Sequence, residues 1–307
     1  MAVKVILLVL FFAVMVGVGI SCRRHTTDVN GFVLGGRSVG PWLTAFAYGT
    51  SYFSAVIFIG YAGQFGWKFG VASTWIGLGN AFLGSLLAWV VLGRRTRLLT
   101  QKLGTATMPE FFGKRFSSPA LKVSAALIVF VFLIPYTASL YNGLSRLFSM
   151  AFSIDYGICI LVMAVLTGVY VIAGGYMATA VNDFIQGIIM LFGIVAVIAA
   201  VLSLNGGFTG SIAALANVSD PETNIPGVFA SFFGPDPFGL FAVVILTSLG
   251  TWGLPQMVQK FYAIKNEKAI EKGTVISTLF AVVVAGGCYF LGGFGRLFDI
   301  DVKTLGY

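Results

Sequence analysis

Eight separate stretches of this chain stay apolar for about 20 residues, at about 3–21, 43–65, 71–92, 121–150, 157–174, 184–204, 238–256 and 275–295. A helix of that length crosses a bilayer core about 30 Å thick. Inside hydrocarbon only helices and closed barrels satisfy their own backbone groups. Nearly all the charge lies between the runs, among turn-forming Gly, Pro, Asn and Ser. The expected fold is an all-α polytopic membrane protein with about eight transmembrane helices. Composition agrees. Of 307 residues, 58% are hydrophobic and only 10% charged, against about 25% charged in soluble domains. That balance excludes water-soluble enzymes, disordered proteins and nucleic-acid binders. Thirty-nine glycines suit close-packed membrane helices.

The net charge of +8 reads as topology. With the N-terminus outside, fourteen of the nineteen Lys and Arg residues fall on the inner side. They include Arg23, Arg24 and Arg37, the group from Arg94 to Lys122, and the four lysines from Lys260 to Lys272. Lys4, Lys68, Arg146, Arg296 and Lys303 remain on or near the outer side. The loop 205–237 carries Asp220, Glu222 and Asp236 and no base. This asymmetry follows the positive-inside rule and places the chain in the plasma (inner) membrane as a multi-pass protein. The first run has Lys4 alone before it and Arg23 and Arg24 after it. That is the reverse of a secretion signal, so a retained helix is expected. Cys22, Cys159 and Cys288 are too dispersed for a zinc site or a disulfide framework.

Two runs differ from the rest. The second reads Ala47-Tyr48-Gly49-Thr50-Ser51-Tyr52-Phe53-Ser54, and the seventh Thr247-Ser248-Leu249-Gly250-Thr251-Trp252-Gly253-Leu254-Pro255-Gln256. Glycine and proline loosen the helical ladder, and hydroxyls re-satisfy freed backbone groups. For either helix alone, ordinary small-residue packing also accounts for this composition. The two lie five spans apart, so they cross in opposite directions. A matched pair of interrupted helices in opposite orientation points to the binding site of an inverted-repeat transporter.

Four stretches carry a resemblance to the sodium:solute symporter family. Phe32-Val33-Leu34-Gly35-Gly36-Arg37-Ser38-Val39-Gly40-Pro41 is similar to the F-x-x-G-G-R-S-x-G lead into that family's first core helix. Thr107-Met108-Pro109-Glu110-Phe111 with Lys114-Arg115-Phe116 is similar to its T-x-P-E/D-F…R-F/Y. Gly174-Gly175-Tyr176-Met177-Ala178 with Asn182-Asp183-Phe184-Ile185-Gln186 resembles G-G-x-x-A-V…T-D-x-x-Q. Gly253-Leu254-Pro255-Gln256 with Lys260-Phe261-Tyr262-Ala263 resembles G-x-P…R-x-x-A, with Lys in place of Arg. The resemblance implies a LeuT-type architecture in one transmembrane transporter domain, 1–307. An extra helix at 1–22 precedes a first five-helix repeat at 42–204 and part of an inverted second repeat at 238–307. It further implies that three helices of the second repeat lie beyond Tyr307. The expectation is then a C-terminally truncated chain that does not transport by itself.

The function implied is sodium-coupled symport of a small organic solute, with Na+ as coupling ion, no other cofactor and no enzymatic activity. The alternative is a symporter-like sensory module of a signalling protein. Transferred onto this sequence, the sodium-facing carbonyls fall at Thr50 and Phe53. Asp183 is a second-sodium or ion-exit residue, because a carboxylate at membrane depth is costly without a role; an N-cap role opening the sixth helix is compatible. Ser51, Tyr52, Ser54, Tyr136, Thr251, Trp252 and Gln256 are the candidate solute contacts. Serine hydroxyls also commonly bond back to the preceding turn, and Trp252 suits an interfacial position equally well. Proline-transporting relatives typically carry Asp at the position of Tyr52, so this chain departs from them there. No HExxH, GxGxxG or Walker motif occurs, and no chain of buried acids and histidines suggests a proton relay. The solute, the sodium stoichiometry and the oligomeric state are left open.

Overall fold

In a computed structural model, residues 2–54, 56–221 and 224–298 are described. Glu222 and Lys303, used above in the charge map, lie outside the described residues, as do the side chains of Lys4 and His25. The described chain is helical nearly throughout. Its only β-type pairings are isolated bridges, Val39 with Ile264 and Ser219 with Pro226. The three cysteines are free thiols.

Among the described residues, five helices are long and apolar enough to cross a membrane: Val5–Cys22, Ala62–Leu103, Pro119–Phe152, Tyr156–Ser203 and Glu267–Leu297. Counted as one broken span, Pro237–Gly253 and Pro255–Ala263 make a sixth. Two glycines explain why the sequence divides more finely. At 1.5 Å per residue, the 48 residues of Tyr156–Ser203 would reach about 72 Å, more than twice a bilayer core. Gly175, with φ 54° and ψ −147°, interrupts that helix. Gly70, with φ 63° and ψ −147°, ends the helix Ala62–Phe69 in the same conformation. That region of backbone space is open essentially to glycine alone. Space enforces the choice as well. A Cβ on Gly70 would lie 2.1 Å from the carbonyl oxygen of Phe229, and one on Gly175 2.8 Å from that of Phe32.

The break at Gly175 also corrects a sequence expectation. The sixth apolar run was to open at Asn182-Asp183, with Asp183 as an N-terminal acid. The helix instead resumes directly after Gly175, so Asp183 sits about two turns inside it, where no free amides remain for it to cap. The Gly-Gly pair, not the polar Asn-Asp pair, marks the boundary.

The chain divides into two units. One gathers Met1–Val56, Leu87–Gly187 and Trp252–Ser277. Its core packs Leu34, Val39, Ala47, Tyr176, Ala180, Val258, Tyr262 and Ala263. The helix Pro119–Phe152 in this unit keeps an apolar exterior, with Leu127, Phe130, Phe132 and Ile134 all exposed, as a lipid-facing helix does. The other unit gathers Ile57–Leu86, Ile188–Thr251 and Thr278–Tyr307, and its core includes Leu215, Phe229 and Phe294. Arg296 anchors this core by donating from Nε to the Trp67 carbonyl at 2.6 Å. Its guanidinium lies 3.8 Å from the centre of the Phe229 ring, a cation–π contact.

Candidate functional site

Both suspect helices are interrupted where their glycines, hydroxyls and proline fall. Pro41 at the first turn starts the helix Pro41–Tyr52, and its ladder ends as the Phe53 N–H bonds the Gly49 carbonyl. Phe53 has left helical geometry, at φ −91° and ψ 53°. The final carbonyls of a helix run out of intrahelical amides. In the seventh span the helix Pro237–Leu249 tightens into a 3-10 turn at Gly250–Gly253. Leu254 is extended, and Pro255 begins Pro255–Ala263.

Around the first interruption the structure assembles a buried polar group. Thr50 donates its hydroxyl to the Phe46 carbonyl at 2.9 Å and is a near neighbour of the Asp183 carboxylate. Asp183 Oδ2 lies 3.5 Å from Nζ of Lys260, with side-chain exposures of 22% and 9%. That ammonium also sits over the Tyr176 ring, 5.2 Å from its centre. Asn182, fully buried beside Asp183, donates to the Met15 carbonyl at 3.4 Å. Tyr176 OH and Asn182 Oδ1 are buried with no hydrogen-bond partner among the described residues. The Asp183 carboxylate and the Thr50 hydroxyl offer oxygen, the donor type that a hard cation needs.

Of the residues expected from the sequence, Thr50 and Asp183 are thus near neighbours. Phe53 is buried and stacks on Tyr52 with ring centres 4.5 Å apart. Ser51 and Ser54 are half-buried at the break. Trp252 and Gln256 are half-buried where the seventh span resumes, and both amide atoms of Gln256 lie buried without a partner among the described residues. In the other unit, the Thr251 hydroxyl bonds back to the Ser248 carbonyl at 3.0 Å. Tyr136 is half-buried on the largely exposed helix Pro119–Phe152. No contact within the described residues joins it to Thr50 or Asp183.

Two features were missed from the sequence. Lys260, assigned there to an inner loop, is buried on Pro255–Ala263; its position four residues after Gln256, on the same helix face, was the available signal. Asn80, fully buried in a π-helical stretch, Asn80–Leu86, accepts from the Thr247 and Ser248 hydroxyls at 3.0 and 3.1 Å. Such wide turns recur at functional sites, but nothing local in the sequence announces one.

The start of Pro41–Tyr52 and the end of Pro255–Ala263 are fastened together. Val39 N–H bonds the Ala263 carbonyl at 3.3 Å, and Lys265 N–H bonds that of Val39 at 3.0 Å. Arg37 donates to the carbonyls of Thr105 at 2.6 Å and Tyr262 at 3.3 Å. Gln259 donates to the Val33 carbonyl at 2.8 Å. Tyr48, Trp89 and Phe261 pack ring against ring above these bonds. The F-x-x-G-G-R-S-x-G stretch therefore builds the seat for the end of the seventh span.

Below this seat Glu110 closes the turn that opens Met108–Arg115. Its Oε2 accepts from the Ala106 N–H at 2.9 Å and its Oε1 lies 3.3 Å from Lys114. The Thr107 hydroxyl in turn accepts from the Glu110 N–H. That amide bond, aided by Lys114, holds the Glu110 carboxyl below its ordinary value.

Residues 32–300 match the model of the sodium:solute symporter family. A sodium/proline symporter of Staphylococcus aureus is 30% identical over 297 residues, covering 95% of this chain and 56% of that protein. Its counterpart in strain JH9 is likewise 30% identical, over 298 residues. A Na+-coupled sialic acid symporter, solved in a substrate-bound outward-open state, superimposes with a TM-score of 0.73 at 17% identity, over 92% of this chain and 58% of that one. The chain spans a little over half the length of these relatives. It shares the fold of the sialic acid symporter, and it belongs to the sodium:solute symporter family.

Proposed function

We propose that the protein carries out sodium-coupled symport of a small organic solute across the plasma (inner) membrane by alternating access, with its N-terminus outside. The observation that carries this reading is the interruption of the helix Pro41–Tyr52 at Phe53, in a chain that matches the sodium:solute symporter family over residues 32–300. A carboxylate whose side chain is only 22% exposed is costly to hold among apolar helices, and a bound cation offsets that cost. Sodium would be held by the carbonyls of Thr50 and Phe53 and by Asp183. The solute would meet Ser51, Tyr52, Ser54, Tyr136, Thr251, Trp252 and Gln256. The unpartnered Gln256 carboxamide offers it both a donor and an acceptor. In this reading the extra helix 1–22 and a first repeat at 42–204 are followed, from 238, by the opening of an inverted second repeat.

Each sodium entering down a 100 mV potential supplies about 2.3 kcal/mol before its concentration gradient is counted. Coupling requires that sodium raise solute affinity, and by linkage the solute must raise sodium affinity equally. The test is uptake of labelled amino acids, monocarboxylates, sugars and vitamins by cells expressing the full-length protein, with an inward sodium gradient or with potassium in its place. Proline serves as the reference because the S. aureus relatives are named for it. Tyr52, stacked on Phe53, offers an aromatic face and no carboxylate. Accumulation of one solute class only with sodium supports the reading. Accumulation indifferent to sodium overturns it.

A further inference from the structure

The sodium site proposed above already contains a cation. Lys260 Nζ lies 3.5 Å from Asp183 Oδ2, and Lys260 is only 7% exposed. Its other close neighbour is the face of the Tyr176 ring, which attracts a cation without bonding it as a carbonyl would. A separation of 3.5 Å exceeds the 2.7–2.9 Å of a tight ammonium–carboxylate bond. Lys260 is buried, Asp183 is part-buried, and the pair is loosely closed. Lys260 belongs to the inner half of the seventh span, whose end is seated on the segment before the second. Asp183 belongs to the helix that resumes after Gly175.

Resting on the sodium reading, we propose that Lys260 is a tethered competitor of sodium at Asp183. When sodium is absent, the ammonium neutralises the carboxylate and holds the helix Pro255–Ala263 against the helix after Gly175. When sodium reaches Thr50 and Asp183, it displaces the ammonium and releases that hold. Sodium occupancy is thereby converted into freedom of the inner half-helix. The ammonium also sets the sodium concentration at which release occurs. A guanidinium binds a carboxylate through two parallel N–H groups and would be harder to displace.

Substituting Lys260 in both directions tests this. Lys260→Gln removes the competitor, so the sodium concentration for half-maximal uptake should fall at least fivefold. Lys260→Arg keeps the charge and should raise that concentration above the unsubstituted value. A purely structural lysine would lower maximal uptake in both variants and leave sodium dependence unchanged. The second readout is thermal unfolding of purified protein in NaCl against KCl. Stabilisation by sodium should be larger in Lys260→Gln than in the unsubstituted protein, because the bare carboxylate then depends on the bound ion. Half-maximal sodium that is unchanged, or moves the same way in both variants, overturns the inference while the symport reading stands. If the unsubstituted protein responds to sodium in neither uptake nor unfolding, both are overturned.

Discussion

The Nε–H of Arg97 donates to the carbonyl of Ile264 at 2.6 Å, across 167 residues of sequence. The same guanidinium reaches the Lys265 carbonyl at 3.2 Å and the Gln101 side chain at 2.9 Å. Ile264 follows the last turn of Pro255–Ala263, where helix carbonyls run out of partners. Arg97, only 5% exposed, supplies them. Arg97→Gln is expected to cost about 2 kcal/mol, the scale of hydrogen bonds from a charged donor. Arg97→Lys should recover less than half of that, because one ammonium cannot span both carbonyls in the guanidinium's fixed plane. Thermal unfolding in detergent measures both.

Gly70 and Gly175 share one backbone conformation that side chains disfavour. Alanine at either position should destabilise by about 1–3 kcal/mol from backbone strain alone. Gly70→Ala should be the worse, since its Cβ would overlap the Phe229 carbonyl oxygen more deeply than a Gly175 Cβ overlaps that of Phe32. Unfolding temperatures that leave both variants unchanged would show that the chain does not turn at these residues.

Gln256 separates solute binding from folding. With both amide atoms buried and unpartnered among the described residues, Gln256→Leu should raise the stability of the solute-free protein by about 1 kcal/mol, because an unsatisfied polar group is removed. The same change should weaken solute binding at least tenfold. Paired unfolding and binding titrations check the opposite signs; a loss of both would assign Gln256 to folding alone.

Glu110 gives a pH signature outside the membrane. Its folded pKa is depressed, so its contribution is present above the unfolded glutamate value of about 4.3. That contribution disappears as pH falls through the lower folded value. Glu110→Gln should therefore be less stable than the unsubstituted protein at pH 7, by within about 1 kcal/mol. The difference should hold down to about pH 5 and close below about pH 4. Unfolding temperatures of the pair across pH 3.5–7 test it.

Much of this was legible in the sequence, for identifiable reasons. Span positions follow from apolar length, and the two interruptions from glycine, proline and hydroxyls concentrated at one depth, because both are local properties. The start of the helix carrying Asp183 was misplaced because a polar Asn-Asp pair looks like a cap. The φ of Gly175, set by the approach of Phe32, is invisible without the neighbour. The pairing of Lys260 with Asp183 joins residues 77 apart in sequence. From composition, a lysine at the end of a span reads as an inner-surface charge. Burial by tertiary packing is what makes it part of the site.

The central claim is that sodium and solute share a site built on the two interrupted helices. It is tested most directly by solute binding to the purified protein, titrated in NaCl and in KCl at equal ionic strength. Solute affinity should be at least tenfold higher in sodium, and Asp183→Asn should abolish that difference. Equal affinity in the two salts, or a sodium effect that survives Asp183→Asn unchanged, would contradict the account.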